Sequence, residues 1–283
     1  MSKIVYENHN PYIEIGGERF PPFAFRSFRP TPANISLAYR NGVRLFQMIV
    51  TGMKNMLGCP YSLFGEVWKG EKTYDFSAFD RQIEMFLKFA PEAKFCIMLP
   101  LDTRDWWLKA HETVSSSYYS LGNGVVSAEW QRDAATYLQD FIAYAEAKYG
   151  DLIYSYAFSS GGATEWFCMD LGKPDRAKEE DYRSYRNDET AKIPTYEEMN
   201  AGQSMFRACD AESIHYLTYS SEQISNLVCF FAKEAQKTLQ HKKLIGVFFG
   251  YINITNPRDQ NLWLTNAYET AWNSPDIDML FSP

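Results

Sequence analysis

Basic residues are scarce: 28 Lys and Arg stand against 35 Asp and Glu, a formal charge of −7 over 283 residues. Nucleic-acid phosphates call for concentrated cations, so this balance argues against a nucleic-acid partner. No basic run exceeds a few residues, which argues against an anionic membrane surface. Every apolar stretch breaks well short of the ~20 residues a spanning helix needs. The opening MSKIVYENHNPYIEIGG lacks the apolar core of a signal peptide, so the expected location is cytoplasmic. The five cysteines (Cys59, Cys96, Cys168, Cys209, Cys229) are odd in number, widely spaced and without CxxC, as suits reduced thiols. The four histidines form no HExxH, so no metal site is expected. GxSxG, GxGxxG and GxxxxGK are missing, which removes serine-hydrolase, dinucleotide and P-loop chemistry. No cofactor is expected.

Aromatics are plentiful, with 20 Phe, 19 Tyr and 7 Trp. Such a surplus suits a wide core, or a cleft whose flat walls meet the C–H faces of sugar rings. Short apolar runs alternate with amphipathic stretches, the pattern of βα units around a parallel sheet. The strands read from the pattern are 22–28, 43–50, 94–102, 152–160, 243–252 and 277–283. A hairpin precedes them at about 12–19, turning at Gly16-Gly17. Helices follow from Thr31 or Asn34 to Asn41-Gly42, over 77–91 with Ser77 as N-cap and Asp80 completing a capping box, and from Ser127 to Gly150. Two more begin at Ser221 and near 258. A polar excursion at about 170–218 is too long to be structureless, so short helices and a lid are expected there. No linker divides the chain, and residues 1–283 read as one domain. Six strands fit an open doubly wound sheet, but the preferred reading is a (β/α)8 TIM-barrel type that is incomplete, with about six of eight βα units present.

In such barrels the working residues stand at the C-terminal ends of strands. Glu165 follows the fourth strand, behind Gly161-Gly162 and beside Trp166 and Phe167. Aromatic neighbours desolvate a carboxyl and raise its pKa toward a general acid's range. The same position also suits a surface Glu at a loop start. Trp166 counts among the substrate-binding candidates, as do four others. Arg26, ending the first strand, suits a carboxylate or sugar hydroxyl, or a structural ion pair. Asp102 and Trp106, after the third strand, suit binding and stacking of a sugar, with Trp107 either core or cleft. Tyr251, closing the fifth strand, suits a hydrogen bond in the site or in the core. Glu66 and Trp68 are placed at the rim.

The run AFSSGGATEWF resembles the fourth-strand end of clan A glycoside hydrolases, particularly the family-42 β-galactosidase-like group. FPPFAFRSFRP, GVRLFQMIVTG, FGEVWKGEKTYDFSAFDRQIEMF, KFCIMLPLDTRDWW, VFFGYI and DIDMLFSP resemble further segments in the same order. The resemblance implies a glycoside hydrolase acting on a β-linked sugar by a retaining, two-carboxylate mechanism. Glu165 would be its general acid/base and an oligosaccharide or glycoside its partner. Thr164 stands where the clan usually carries Asn, and joins the substrate-binding candidates. The family's nucleophile is a Glu ending strand seven, so it is expected beyond Pro283 and residues 1–283 are expected to be inactive alone. Related enzymes often form homo-oligomers. The alternative is a non-catalytic carbohydrate-binding barrel.

Overall fold

The structure is a computed structural model that describes residues 1–54, 58–111, 122–160, 166, 174–201, 211–249 and 267–281. It opens with an antiparallel sheet of β1 (Ser2–Glu7), β2 (Asn10–Ile15) and β3 (Glu18–Phe20). The turn read at Gly16-Gly17 joins β2 to β3, and both glycines take positive φ. The hairpin thus gains β1, whose alternation the sequence reading passed over.

Six strands then pair side by side: β4 (Ala24–Arg26), β5 (Leu45–Ile49), β8 (Lys94–Pro100), β9 (Ile153–Ser159), β10 (Leu244–Phe248) and β11 (Met279–Phe281). Their order is sequential, β4-β5-β8-β9-β10-β11. The registered pairs are parallel, for example Phe46 beside Phe95 and Ile245 beside Tyr156. This is an α/β fold with a parallel half-barrel of six strands, an incomplete TIM barrel. Between β5 and β8 lies a small ribbon, β6 (Trp68–Gly70) with β7 (Thr73–Tyr74). β5 and β9 are buried along their whole length and β8 from Phe95 onward, as expected of parallel strands covered on both faces.

The helices follow from local signals. Thr31 caps α1 (Pro32–Arg40) by accepting from Asn34 N at 3.2 Å, and Gly42 (φ +88°) follows its end. α2 (Ser77–Phe89) differs from expectation: Ser77 is its first residue, and Asp75 Oδ1 takes the Ser77 N–H. The Ser77 hydroxyl donates to the same carboxylate and holds its pKa below the usual range. Asp80, read as part of a capping box, instead accepts from Tyr144, Lys148 and Tyr149 of α4 (Ala128–Tyr149) at 2.8–3.0 Å. The stripe Trp130, Ala134, Tyr137, Leu138, Phe141, Ile142 and Ala145 of α4 is buried throughout. Ser127 Oγ accepts from Trp130 N at the start of that helix.

The remaining helices are α3 (Asp105–Ala110), α5 (Arg176–Arg186), α6 (Tyr196–Ala201), α7 (Ala211–Leu239) and α8 (Tyr268–Trp272). α5 and α6 are the short helices expected in the 170–218 excursion. α7 begins ten residues before Ser221, because Tyr216 and Tyr219 extend its buried face upstream. Those rings pack with Tyr182 of α5 at 5.1–5.4 Å, and Tyr219 Oη donates to Asp181 at 2.6 Å. The Tyr-rich stretch before Ser221 is therefore helix with an aromatic core. Among the described residues, no helix is long and apolar enough to cross a membrane.

The chain forms two compact units. The first draws on Met1–Pro100, Ala135–Phe158 and Ala232–Gly246, the second on Leu101–Ala134, Ser159–Phe231 and Val247–Pro283. In the first, Ser2 is tied to the start of β10: Ser2 N donates to Lys242 O, and Leu244 N donates to Ser2 Oγ. Lys243 Nζ donates to the carbonyls of Gly150 and Ile153. The second holds the segments that follow β8, β9 and Gly246 of β10 in the chain.

Candidate functional site

β8 passes into Leu101-Asp102-Thr103-Arg104, and β9 ends in Ser159-Ser160. All six residues are buried, at 0–5% exposure. Leu101 N donates to Ser159 O at 2.7 Å, so the ladder continues past the strand ends. Ser160 Oγ donates to Asp102 Oδ1 at 3.3 Å, and the Arg104 guanidinium donates to the Asp102 carbonyl. The hydroxyls of Thr103 and Ser159 have no hydrogen-bond partner among the described residues. Buried polar atoms are nearly always paired in folded proteins, and these two hydroxyls stand on neighbouring strand ends. Asp102 was singled out in the sequence; Thr103, Arg104, Ser159 and Ser160 were not. The signal was there: LDTRD and FSS each place polar residues directly after an apolar strand.

The tryptophans after β8 divide clearly. Trp107 is fully buried, donates from Nε1 to Asp133 Oδ2 at 3.0 Å and stacks on His111 at 3.9 Å. Trp106 is half-buried, leaving it the one of the pair with an accessible face. Trp166 is fully buried and stacks on Phe231 of α7, with centroids 6.0 Å apart. Its ring is taken up by packing rather than offered to a ligand.

The first unit holds the other candidates that can be described. Arg26 ends β4, half-buried, with its guanidinium 4.7 Å from the Phe28 ring centroid. It lies in register with Gln47 of β5, which is in register with Cys96 of β8. Gln47 Nε2 donates to Cys96 Sγ at 3.5 Å, and burial pushes the Cys96 thiol up despite that bond and the nearby Arg26 cation. A polar row thus crosses three strands where aliphatic residues are usual.

Glu66 and Trp68, expected at the rim, are half-buried and fully buried respectively. The Glu66 carboxylate accepts from Thr51 Oγ1 at 2.5 Å and from the N–H groups of Gly52, Val67 and Trp68 at 3.0–3.1 Å. A side chain holding four donors organises the loop after β5. A Cβ at Gly52 would lie 2.6 Å from Glu66 N, so only glycine permits this approach. Trp68 is buried and stacks on Tyr137 at 4.8 Å.

Glu165, Thr164 and Tyr251 lie outside the described residues. No group of three or more His, Cys, Asp or Glu among the described residues is arranged to hold a metal.

No family model and no curated protein matches the chain. Solved structures do match, at the level of fold. A β-galactosidase from Bacillus circulans sp. alkalophilus superposes with a TM-score of 0.54 at 10% identity, over 92% of this chain and 39% of that one. The catalytic domain of a β-amylase from Paenibacillus polymyxa gives 0.57 at 10% identity, over 90% of this chain and 75% of the other. An endo-1,4-β-mannanase from Rhizomucor miehei gives 0.51 at 9% identity, over 98% and 70%. The chain therefore spans about two-fifths of the β-galactosidase it is similar to. Its fold resembles that of clan A glycoside hydrolases.

Proposed function

We propose that the protein is a glycoside hydrolase acting on a β-linked sugar, with Glu165 as general acid/base of a retaining pair. The observation that carries this reading is the buried polar shell of Asp102, Thr103, Arg104, Ser159 and Ser160 at the C-terminal ends of β8 and β9. That is the end of an α/β barrel at which catalysis is found. The β-galactosidase and endo-mannanase folds it is similar to support the same class. Glu165 continues the β9 segment and follows Ser160 by five residues.

In this reading Glu165 protonates the glycosidic oxygen as the bond to the leaving group breaks, then takes a proton from the water that releases the sugar. Asp102 and Arg104 supply an acceptor and a donor for sugar hydroxyls, and Trp106 a stacking face. The nucleophile, a second carboxylate about 5 Å from the first in a retaining enzyme, is proposed to come from polypeptide beyond Pro283. Glu165→Gln in the complete protein should cut turnover of glycosides with poor leaving groups by about 1,000-fold or more. Activated aryl glycosides, which need less protonation, should suffer less. Unchanged turnover of both would overturn the assignment. Saturable oligosaccharide binding with no product on prolonged incubation of the unaltered protein would favour the binding-barrel alternative, for which Thr164 in the usual place of Asn is the motivation.

A further inference from the structure

α3 (Asp105–Ala110) is six residues long, and a helix that short has little stability of its own. Its place is set by what it is tied to. At its start the Arg104 carbonyl accepts from Trp107 N at 2.9 Å and from Leu108 N at 3.0 Å. The helix therefore grows directly out of the buried polar segment that follows β8. At its end the tie is to the opening of α4. The buried Trp107 indole donates to Asp133 Oδ2 at 3.0 Å. His111, just past the helix, stacks on the same indole and brings Nε2 to 3.6 Å from Glu129 Oε2. Glu129 and Asp133 stand four residues apart on α4, hence on one face of it. All of these residues belong to the second unit. Successive side chains of a helix point about 100° apart. An indole locked at 107 therefore also sets the direction of the half-buried ring of Trp106.

We infer that Asp133 is a positioning residue for Trp106, acting through Trp107. This rests on the reading of Trp106 as a stacking face for a sugar, and it holds whether or not that sugar is then cleaved. The Asp133 carboxylate is engaged by the Trp107 N–H and by Arg132 Nε at 3.1 Å, so its part is to hold and not to bind. What it holds is the rotation of α3. A flat C–H face gains from an aromatic ring only where the two surfaces meet, so a platform that turns loses the contact. Without an acceptor at 133 the buried indole N–H loses its bond, a cost that α3 relieves by rotating toward another partner or water. The binding orientation of Trp106 then becomes one of several, and affinity falls with its share of the population.

The test is calorimetric affinity for β-1,4-linked gluco-, manno- and galacto-tetrasaccharides, with a melting curve for each variant of the complete protein. Asp133→Ala should weaken binding about 5- to 10-fold. Asp133→Asn keeps an oxygen acceptor and should stay within about twofold of the unaltered protein. Trp106→Ala should weaken binding about tenfold or more. In the Trp106→Ala background, Asp133→Ala should add less than about twofold, because no ring is left to place. Asp80→Asn, which alters a carboxylate anchor in the first unit, should lower the melting temperature and leave affinity in place. An Asp133→Ala affinity that matches the unaltered protein overturns the inference. So does a loss of equal size in the Trp106→Ala background, or an Asp80→Asn loss as large. If Asp133→Ala does not fold, Trp107→Phe, which deletes the indole N–H and keeps a ring, carries the same expectation and the same refutation. Trp106→Ala separates the two levels. Where it weakens binding and Asp133→Ala does not, positioning alone fails. Where it leaves affinity unchanged, or the unaltered protein binds none of the three, the reading of Trp106 fails and the inference with it.

Discussion

Thr103 and Ser159 carry hydroxyls that the described protein does not pair. For an ordinary core residue that is a cost, because a buried polar atom without a partner forfeits its hydration for nothing. Thr103→Val removes the hydroxyl and keeps the shape. If the hydroxyl meets substrate, thermal stability should hold or rise, while KM for a glycoside increases several-fold. A melting curve and a saturation curve on the same variant decide it. A stability loss above about 2 kcal/mol would mean that the hydroxyl belongs to the fold. The adjoining residues behave differently: the Asp102 carboxylate accepts from Ser160, and the Arg104 guanidinium donates to the Asp102 backbone carbonyl, so each buried charge is held by a bond of its own. Asp102 could be read from the sequence because a carboxylate after a strand has an obvious use. Arg104 and the hydroxyls could not, since their meaning comes from burial.

At the scale of elements, Asp80 joins α2 to the last turn of α4. Burial opposes its charge, but the bonds from Lys148, Tyr144 and Tyr149 outweigh that and hold its pKa below the usual carboxylate range. The same contact pushes the Tyr149 hydroxyl up to about 12, through its burial first and then its bond to Asp80. A carboxylate with a depressed folded pKa contributes stability above its unfolded pKa, and that contribution is lost as pH falls through the folded value. Asp80→Asn should therefore destabilise the protein by about 1–3 kcal/mol near neutral pH, measured by urea unfolding. The gap between variant and parent should narrow below about pH 4. A gap that stays constant to pH 3 would refute the assignment. The helix itself was legible from its apolar spacing. The role of Asp80 was not, because its partners lie 64–69 residues away and a local motif offered a nearer explanation.

For the whole molecule, strand number and order were the most legible feature. Each parallel strand falls in a mostly apolar run, and the runs fall in the sheet in the order in which they fall in the chain. Most of the candidate site was less so. The polar shell follows the strand ends as barrel geometry requires, while the contact of Trp130 of α4 with Phe231 of α7 spans about a hundred residues. Among the described residues β4 and β11 are the outermost strands of the sheet, and Phe23 beside β4 is 68% exposed. An unpaired strand edge next to apolar surface promotes association. A polypeptide of residues 1–283 alone should self-associate at micromolar concentration, read by light scattering on a sizing column. A monodisperse monomer with a single cooperative melt would contradict this.

The bond between Ser2 and the start of β10 joins residues 242 positions apart. During synthesis the first strand leaves the ribosome long before its partner exists. At roughly 5–20 residues per second, the wait is about 10–50 s. Throughout that interval Ser2 lacks both the Lys242 carbonyl and the Leu244 N–H that it bonds in the folded protein. The second residue of the chain is thus among the last to find its place.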